Sequence, residues 1–147
     1  YGHPDHIAVH RAVHAAAPQD LHIWWAVFER GAHYSGLESI DAPEGWSLPD
    51  QAYLDNFTNQ GADVTYELSS EALEAKRAAM RAHATQIWTA DGTLSAVNPH
   101  AAQAGLRAPA EVPGAYALSN LLTMPLLRQE FYQLGQGTPQ ETLLGQM

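Results

Sequence analysis

Histidine and aspartate side chains cluster at the start of this chain. His3, Asp5 and His6 lie close together in the sequence, and His10 follows one helical turn later. The i and i+4 spacing of His6 and His10 would place two imidazoles on one helix face, where both could reach one metal ion. Histidines with this spacing are also common as packing or surface residues. The pattern permits metal-assisted hydrolysis but does not require it.

The residues around this cluster predict the start of a helix. Pro4 suits the first turn, where its missing N–H costs nothing, and Asp5 suits the positive end of the helix dipole. A carboxylate there can orient a neighbouring loop histidine, His3, and keep it charged. The alternative is an aspartate that caps a helix beside incidental histidines. For His10 and His14 we expect a packing or surface role.

Composition excludes several kinds of partner and site. Seven Lys and Arg against 16 Asp and Glu give a net charge of −9, so we expect neither nucleic acid nor an anionic membrane surface as a partner. Without cysteine, any metal must be held by His, Asp or Glu. The longest apolar run, residues 23–28, is far shorter than the ~20 residues of a membrane span. We expect a soluble, cytoplasmic protein.

Hydrophobic periodicity and turn residues predict alternating helices and strands, and hence an α/β layered domain. Trp24 and Trp25 lie inside an apolar strand, which favours core positions over a sugar-binding or partner-binding surface. Ser69 or Ser70 is a candidate N-cap, and Asp91 and Gly92 mark a turn. The predicted elements are a helix over 4–17, a buried strand over 21–28, loops with one short helix over 31–60, a strand over 63–68, a helix over 71–87, an irregular segment over 98–113, a short helix over 123–130, a strand over 131–134 and a loose tail of ten residues.

The length bounds the domain organisation. A chain of 147 residues is long enough for one domain with a core and too short for two. It begins at Tyr1 rather than at methionine, and its candidate chemistry begins there too. We therefore expect residues 1–147 to be the C-terminal part of one domain of a longer protein.

Three stretches resemble a known family. The first ten residues, YGHPDHIAVH, resemble the His-Pro-Asp-His-x-x-x-His signature of the zinc-dependent N-acetylglucosaminyl-phosphatidylinositol (PIG-L) deacetylases, also called LmbE-like proteins. Residues 75–87, AKRAAMRAHATQI, resemble the later helix of that family. The segments ALSNL, MPLL and EFYQL within residues 117–134 resemble the C-terminal stretch of its mycothiol-pathway branch. The resemblance implies a Rossmann-like layered LmbE-type fold.

The resemblance also implies roles for individual residues. His6 would be a ligand of one zinc ion, His3 would act on the tetrahedral intermediate, and Asp5 would pair with His3. Tyr1 would help to hold the substrate carbonyl or its oxyanion, and Asn120 would face the substrate. The remaining zinc ligands and the general base belong to a His-Pro-Asp-Asp signature that this sequence lacks. We expect them from a missing N-terminal half of the same protein, and we expect the isolated segment to be inactive.

The implied reaction is hydrolysis of the acetamide of a small-molecule amino sugar of the N-acetylglucosaminyl-inositol type. Two alternatives stay open at this point. One is the mycothiol conjugate amidase of the same superfamily. The other is a non-catalytic binding or assembly domain, in which the histidine helix is a surface feature and Trp24, Trp25 and Trp46 form a binding surface.

Overall fold

Four helices lie in the parts of the chain that the computed structural model describes, residues 3–94 and 101–138. Side chains cap the N-termini of all four helices. The Ser69 hydroxyl accepts a hydrogen bond from the Ala72 N–H at 3.2 Å, which confirms Ser69 as the N-cap. The Asp50 carboxylate accepts one from the Tyr53 N–H at 2.7 Å. The helices are α1 (Pro4–Ala16), α2 (Arg30–Glu38), α3 (Gln51–Phe57) and α4 (Ser70–Ala82).

Eight strands in the described residues form three small sheets. The first has the order β1-β8-β3, the second joins β2 to β5, and the third has the order β4-β6-β7. Every strand pair in these sheets is antiparallel. The strands are β1 (Ile23–Val27), β2 (Ile40–Asp41), β3 (Val64–Glu67), β4 (Ile87–Thr89), β5 (Gly105–Leu106), β6 (Gly114–Leu118), β7 (Thr123–Leu126) and β8 (Gln129–Gln136).

Several predicted elements are confirmed. Helix α1, strands β1 and β3, and most of α4 lie where the periodicity placed them. Gly92 adopts a φ of 79° at the expected turn, a conformation that glycine reaches without steric cost. The strand predicted at residues 131–134 is β8, which is longer and lies in the centre of its sheet. Residues 98–100 and the last nine residues of the predicted tail lie outside the described residues.

Three element predictions are wrong. Residues 31–60 were predicted to be loops with one short helix, but they contain most of α2, all of α3 and the short strand β2. The two helices form because the side chains of Glu29 and Asp50 cap their N-termini. Helix α4 ends at Ala82, and Ile87 instead pairs with Leu118 in a sheet. The helix predicted at 123–130 is strand β7, whose residues are all buried, because a short apolar run fits either element until its neighbours are known.

These helices and sheets make a mixed structure of α-helices and β-strands, which is compatible with the predicted α/β class. The sheets of the described residues are antiparallel, so the parallel sheet that a Rossmann-like fold needs is not found within them. None of the helices in residues 3–94 and 101–138 combines the length and the apolar composition that a membrane crossing requires.

The hydrophobic core contains residues from all three sheets, and the partly buried Trp46 packs against it. Trp24 and Trp25 do not lie in this core, which corrects the prediction for them. Strand β1 is at the edge of its sheet; Trp24 is half-buried and Trp25 is 37% exposed. The buried core residues are Ile40, Ala90, Ala104, Val112, Ala115, Leu127 and Phe131.

A pair of glycines in α2 provides a test of how this helix packs on β7. A Cβ added at Gly36 would lie 2.8 Å from Pro125 Cβ, whereas one at Gly31 would lie 3.3 Å from the end of the flexible Glu29 side chain. Both alanine substitutions should stabilise the protein by a similar amount through the lower conformational entropy of the unfolded chain. We therefore expect Gly36→Ala to be less stable than Gly31→Ala by about 1–3 kcal/mol in urea unfolding. Equal unfolding free energies would contradict the close approach of α2 to β7.

Candidate active site

The His-Pro-Asp-His motif forms the first turn of α1. His3 is the N-cap residue, and its Nδ1 accepts a hydrogen bond from the Asp5 N–H at 3.2 Å. Pro4 is the first residue of the helix, and the Ile7 N–H donates to the His3 carbonyl oxygen at 3.1 Å. The His3 side chain thus satisfies the Asp5 N–H, which has no partner within the helix, and its carbonyl oxygen accepts the first hydrogen bond of the helix. This capping fixes the position of the His3 ring relative to Asp5.

The hydrogen bond to His3 determines which ring nitrogen of the neutral imidazole carries a proton. Because Nδ1 accepts the Asp5 N–H, the neutral ring carries its proton on Nε2. The Asp5 carboxylate Oδ2 lies 3.9 Å from Nδ1, which is close enough for an ion pair and too long for a hydrogen bond. Both side chains are exposed, and an exposed pair is weakened by water. Exclusion of water at this turn would strengthen the influence of Asp5 on His3.

His6 lies beside His3 on the same turn. The two ring centroids are 5.6 Å apart and the ring planes meet at 69°. An imidazole is a suitable ligand for zinc, so the chemistry of His6 fits one position of such a site. Within residues 3–94 and 101–138, however, no group of three or more His, Cys, Asp or Glu side chains could hold a metal ion. A complete zinc site would need ligands from outside these residues.

A cleft of about 660 Å³ lies between α1 and β1; α1 contributes ionisable and apolar side chains to it, and β1 contributes apolar and tryptophan side chains. The Trp25 Nε1–H donates to His14 Nε2 at 3.1 Å, which ties the last turn of α1 to the strand. The His10 ring centroid lies 4.6 Å from that of His14 and 5.1 Å from that of Trp25. These contacts support the packing role that was expected for His10 and His14. The residues lining the cleft are Asp5, His6, Val9, His10, Val13, His14, Ile23, Trp24, Trp25 and Ala26.

Of the predicted site residues, Asp5 and His6 line this cleft, whereas His3 and Asn120 do not. Tyr1 lies outside the described residues. Asn120 is exposed in the turn between β6 and β7, where its Oδ1 accepts a hydrogen bond from the Leu122 N–H at 3.1 Å. Leu121 between them has a φ of 56°. The structure therefore brings His3, Asp5 and His6 together and places Asn120 in a separate turn.

Sequence reasoning missed a half-buried polar group beside a second cavity of about 310 Å³. Lys76 Nζ lies 3.0 Å from Glu130 Oε1, and the Tyr132 hydroxyl donates to Glu130 Oε2 at 2.7 Å. Partial burial and then the Glu130 hydrogen bond raise the pKa of Tyr132 to about 12. Burial also lowers the pKa of the nearby His33. The sequence contained one indication of this group, because Lys76 is a cation on the apolar face of α4.

The chain is similar to curated deacetylases from corynebacteria, although no family model matches it. It is 49% identical over 95% of its length to the 1D-myo-inositol 2-acetamido-2-deoxy-alpha-D-glucopyranoside deacetylase of Corynebacterium diphtheriae. Proteins of the same name from Corynebacterium efficiens and Corynebacterium glutamicum are 45% and 44% identical over 94% and 95% of the chain.

The match covers only part of these relatives. The chain spans 48% of the C. diphtheriae protein, 45% of the C. efficiens protein and 46% of the C. glutamicum protein. About half of each relative therefore lies outside the match, which is consistent with the expectation that the sequence corresponds to one half of the deacetylase.

Proposed function

Since the chain belongs, over the matched residues, to the family of these 1D-myo-inositol 2-acetamido-2-deoxy-alpha-D-glucopyranoside deacetylases, we propose that it carries part of the active site of such an enzyme. The reaction is hydrolysis of the acetamide of an N-acetylglucosaminyl-inositol substrate in mycothiol biosynthesis. It releases acetate and the free amine. The observation that supports this proposal most directly is the His3, Asp5 and His6 cluster at the first turn of α1.

Each residue of the cluster has a role in this proposal. Protonated His3 delivers a proton to the amine that leaves when the amide C–N bond breaks, and becomes a neutral imidazole. Asp5 favours the protonated form of His3 and holds its ring. Tyr1 and protonated His3 donate hydrogen bonds to the oxygen on which negative charge develops, and a single such donor is typically worth about 3 kcal/mol. Asn120 contacts the sugar.

We propose one zinc ion as the cofactor, with His6 as a ligand and the remaining ligands from the half of the relatives that lies outside the match. A zinc ion bound there would supply a water molecule of lowered pKa. The same half would supply the parallel strands of a Rossmann-like layered fold, with the antiparallel sheets of this chain beside them.

A chimera tests this function. In it, this chain replaces the matching half of the C. diphtheriae deacetylase, to which it is 49% identical. We expect the chimera to release acetate from N-acetylglucosaminyl-inositol faster than it cleaves a mycothiol conjugate. Preference for the conjugate would assign the chain to the amidase alternative, and a folded, metal-loaded chimera without either activity would favour a non-catalytic domain.

The isolated chain should bind zinc weakly and should not deacetylate this substrate. A catalytic zinc site needs about three protein ligands, and residues 3–94 and 101–138 contain no group of three that could hold the ion. Equilibrium dialysis with the chain and zinc alone, in parallel with the chimera, measures this difference. Stoichiometric zinc binding by the isolated chain at submicromolar concentration would contradict the proposal that the other ligands lie elsewhere.

A further inference from the structure

His33 is a buried histidine on the wall of the second cavity, and only 4% of its surface is exposed. Its ring Nδ1 lies 2.8 Å from the Glu29 carbonyl oxygen. Because a carbonyl oxygen only accepts hydrogen bonds, Nδ1 carries the proton of the neutral ring and Nε2 carries a lone pair. No residue in 3–94 and 101–138 donates a hydrogen bond to this Nε2. Burial lowers the pKa of His33, so the ring is neutral at neutral pH.

The cavity can supply this nitrogen with a partner from outside the chain. Buried polar atoms are almost always hydrogen-bonded to protein, water or ligand, because an unpaired acceptor is costly. The volume of about 310 Å³ is far larger than the ~30 Å³ of one water molecule and reaches the range of about 300–1,000 Å³ that is common for small-molecule sites. Nε2 therefore marks a point to which a bound molecule can donate a hydrogen bond.

The charged groups at the cavity neutralise one another. Lys76 Nζ lies 3.0 Å from Glu130 Oε1, and Glu130 Oε2 accepts the Tyr132 hydroxyl. Both oxygens of the carboxylate thus have partners, and the ammonium group faces its own counter-ion. Since His33 is neutral as well, the cavity wall carries no net charge, which favours a neutral ligand over an ion.

Much of the remaining wall consists of aromatic and thioether side chains. Phe28, Tyr116 and Phe131 line the cavity, and the Phe28 ring meets the His33 ring edge-on at a centroid distance of 5.3 Å. Aromatic side chains pack favourably against a further planar ring, and the flexible Met80 side chain can place its sulfur against one. These side chains favour a planar aromatic ligand.

We propose that this cavity, which we call the His33 cavity, binds a small neutral aromatic molecule whose N–H or O–H group donates a hydrogen bond to His33 Nε2. Of the described residues that line it, only Ala26 also lines the cleft between α1 and β1. His3, Asp5, His6 and Asn120 do not line it. The inference therefore does not depend on the proposed deacetylase function.

Indole and benzofuran are matched probes for the His33 cavity. The two bicyclic rings are similar in shape, but indole has an N–H donor where benzofuran has an acceptor oxygen. We expect the chimera and the isolated chain to bind indole with a Kd of about 1 mM or lower. Benzofuran should bind at least about tenfold more weakly, because its oxygen would face the Nε2 lone pair.

Titrations followed by the chemical shifts of backbone amides measure both affinities. Equal affinities for the two rings, or the absence of indole binding, would overturn the proposal. Binding of indole by the isolated chain but not by the chimera would show that the rest of the enzyme fills the cavity, and would overturn the proposal too.

Substitution of His33 tests the hydrogen bond itself. His33→Leu keeps an apolar side chain in the wall but removes the acceptor, so we expect the preference for indole to fall from at least about tenfold to less than about twofold. His83→Leu is the matched control, because His83 is exposed after α4 and does not line the cavity, and it should keep the full preference. A preference that persists in His33→Leu would contradict the proposal.

A second pair of variants tests the cavity if His33→Leu does not fold. Met80 lines the cavity and is half-buried, whereas Ala79 precedes it on α4 and is exposed. We expect Met80→Trp to fill the cavity and weaken indole binding by about tenfold or more, and Ala79→Trp to leave it unchanged. Equal affinities of these two variants would contradict the location. In the unsubstituted protein, nuclear Overhauser contacts of indole should involve the Met80 methyl group, and contacts with Trp25 instead would place the ring in the cleft between α1 and β1 and overturn the proposal.

Discussion

His3→Ala is expected to lower kcat of the chimera by about 10²- to 10⁴-fold while its zinc content stays unchanged, because a proton donor to the leaving amine contributes to the transition state and not to metal binding. His3 is placed for this task by its position at the N-cap of α1, where its ring lies beside the Asp5 carboxylate. Steady-state kinetics at matched zinc occupancy measures the effect. An increase in KM with kcat unchanged would show that His3 contributes equally to binding in the ground state and in the transition state.

The N-cap role of His3 requires its own control. Alanine removes the hydrogen bond from the Asp5 N–H, which by itself can cost about 0.5–2 kcal/mol of stability. Asparagine restores a capping acceptor and cannot transfer a proton. We expect His3→Asn to be as slow as His3→Ala but with α1 retained, whereas His83→Ala, at an exposed histidine after α4, should keep full activity. Recovery of kcat in His3→Asn would show that His3 acts only as a helix cap.

His6→Ala is expected to remove most of the zinc from the chimera and with it the deacetylase activity, whereas His10→Ala should retain most of both. His6 lies at the first turn of α1 beside His3, while the His10 ring packs against those of His14 and Trp25. A zinc site with three protein ligands cannot hold the ion well with two. Metal content per protein of the two purified variants decides between the roles. Equal loss from both would show that the i, i+4 pair ligates together.

The sequence determined those parts of the protein that depend on neighbouring residues. Pro4 and Asp5 set the start of α1, and Pro18 follows its end. Ser69 set the start of α4. The proximity of His3, Asp5 and His6 also follows from local geometry, because residues on one helical turn lie close together in any fold. This local part of the candidate site was therefore accessible without a structure.

Tertiary structure decided the features that depend on distant partners. Residues 123–126 form a strand because β6 pairs with them and α2 packs against Pro125, although the apolar run by itself fits a helix. Ile87 continues the helical spacing of apolar residues in α4, but it lies in β4 because it pairs with Leu118. Trp25 is 37% exposed although it lies in an apolar strand, because an apolar sequence does not reveal how completely other elements cover each face of the sheet. Asn120 lies in the local turn between β6 and β7, and only the tertiary structure decides where this turn lies relative to the α1 cleft, since no local rule relates residues separated by more than a hundred positions.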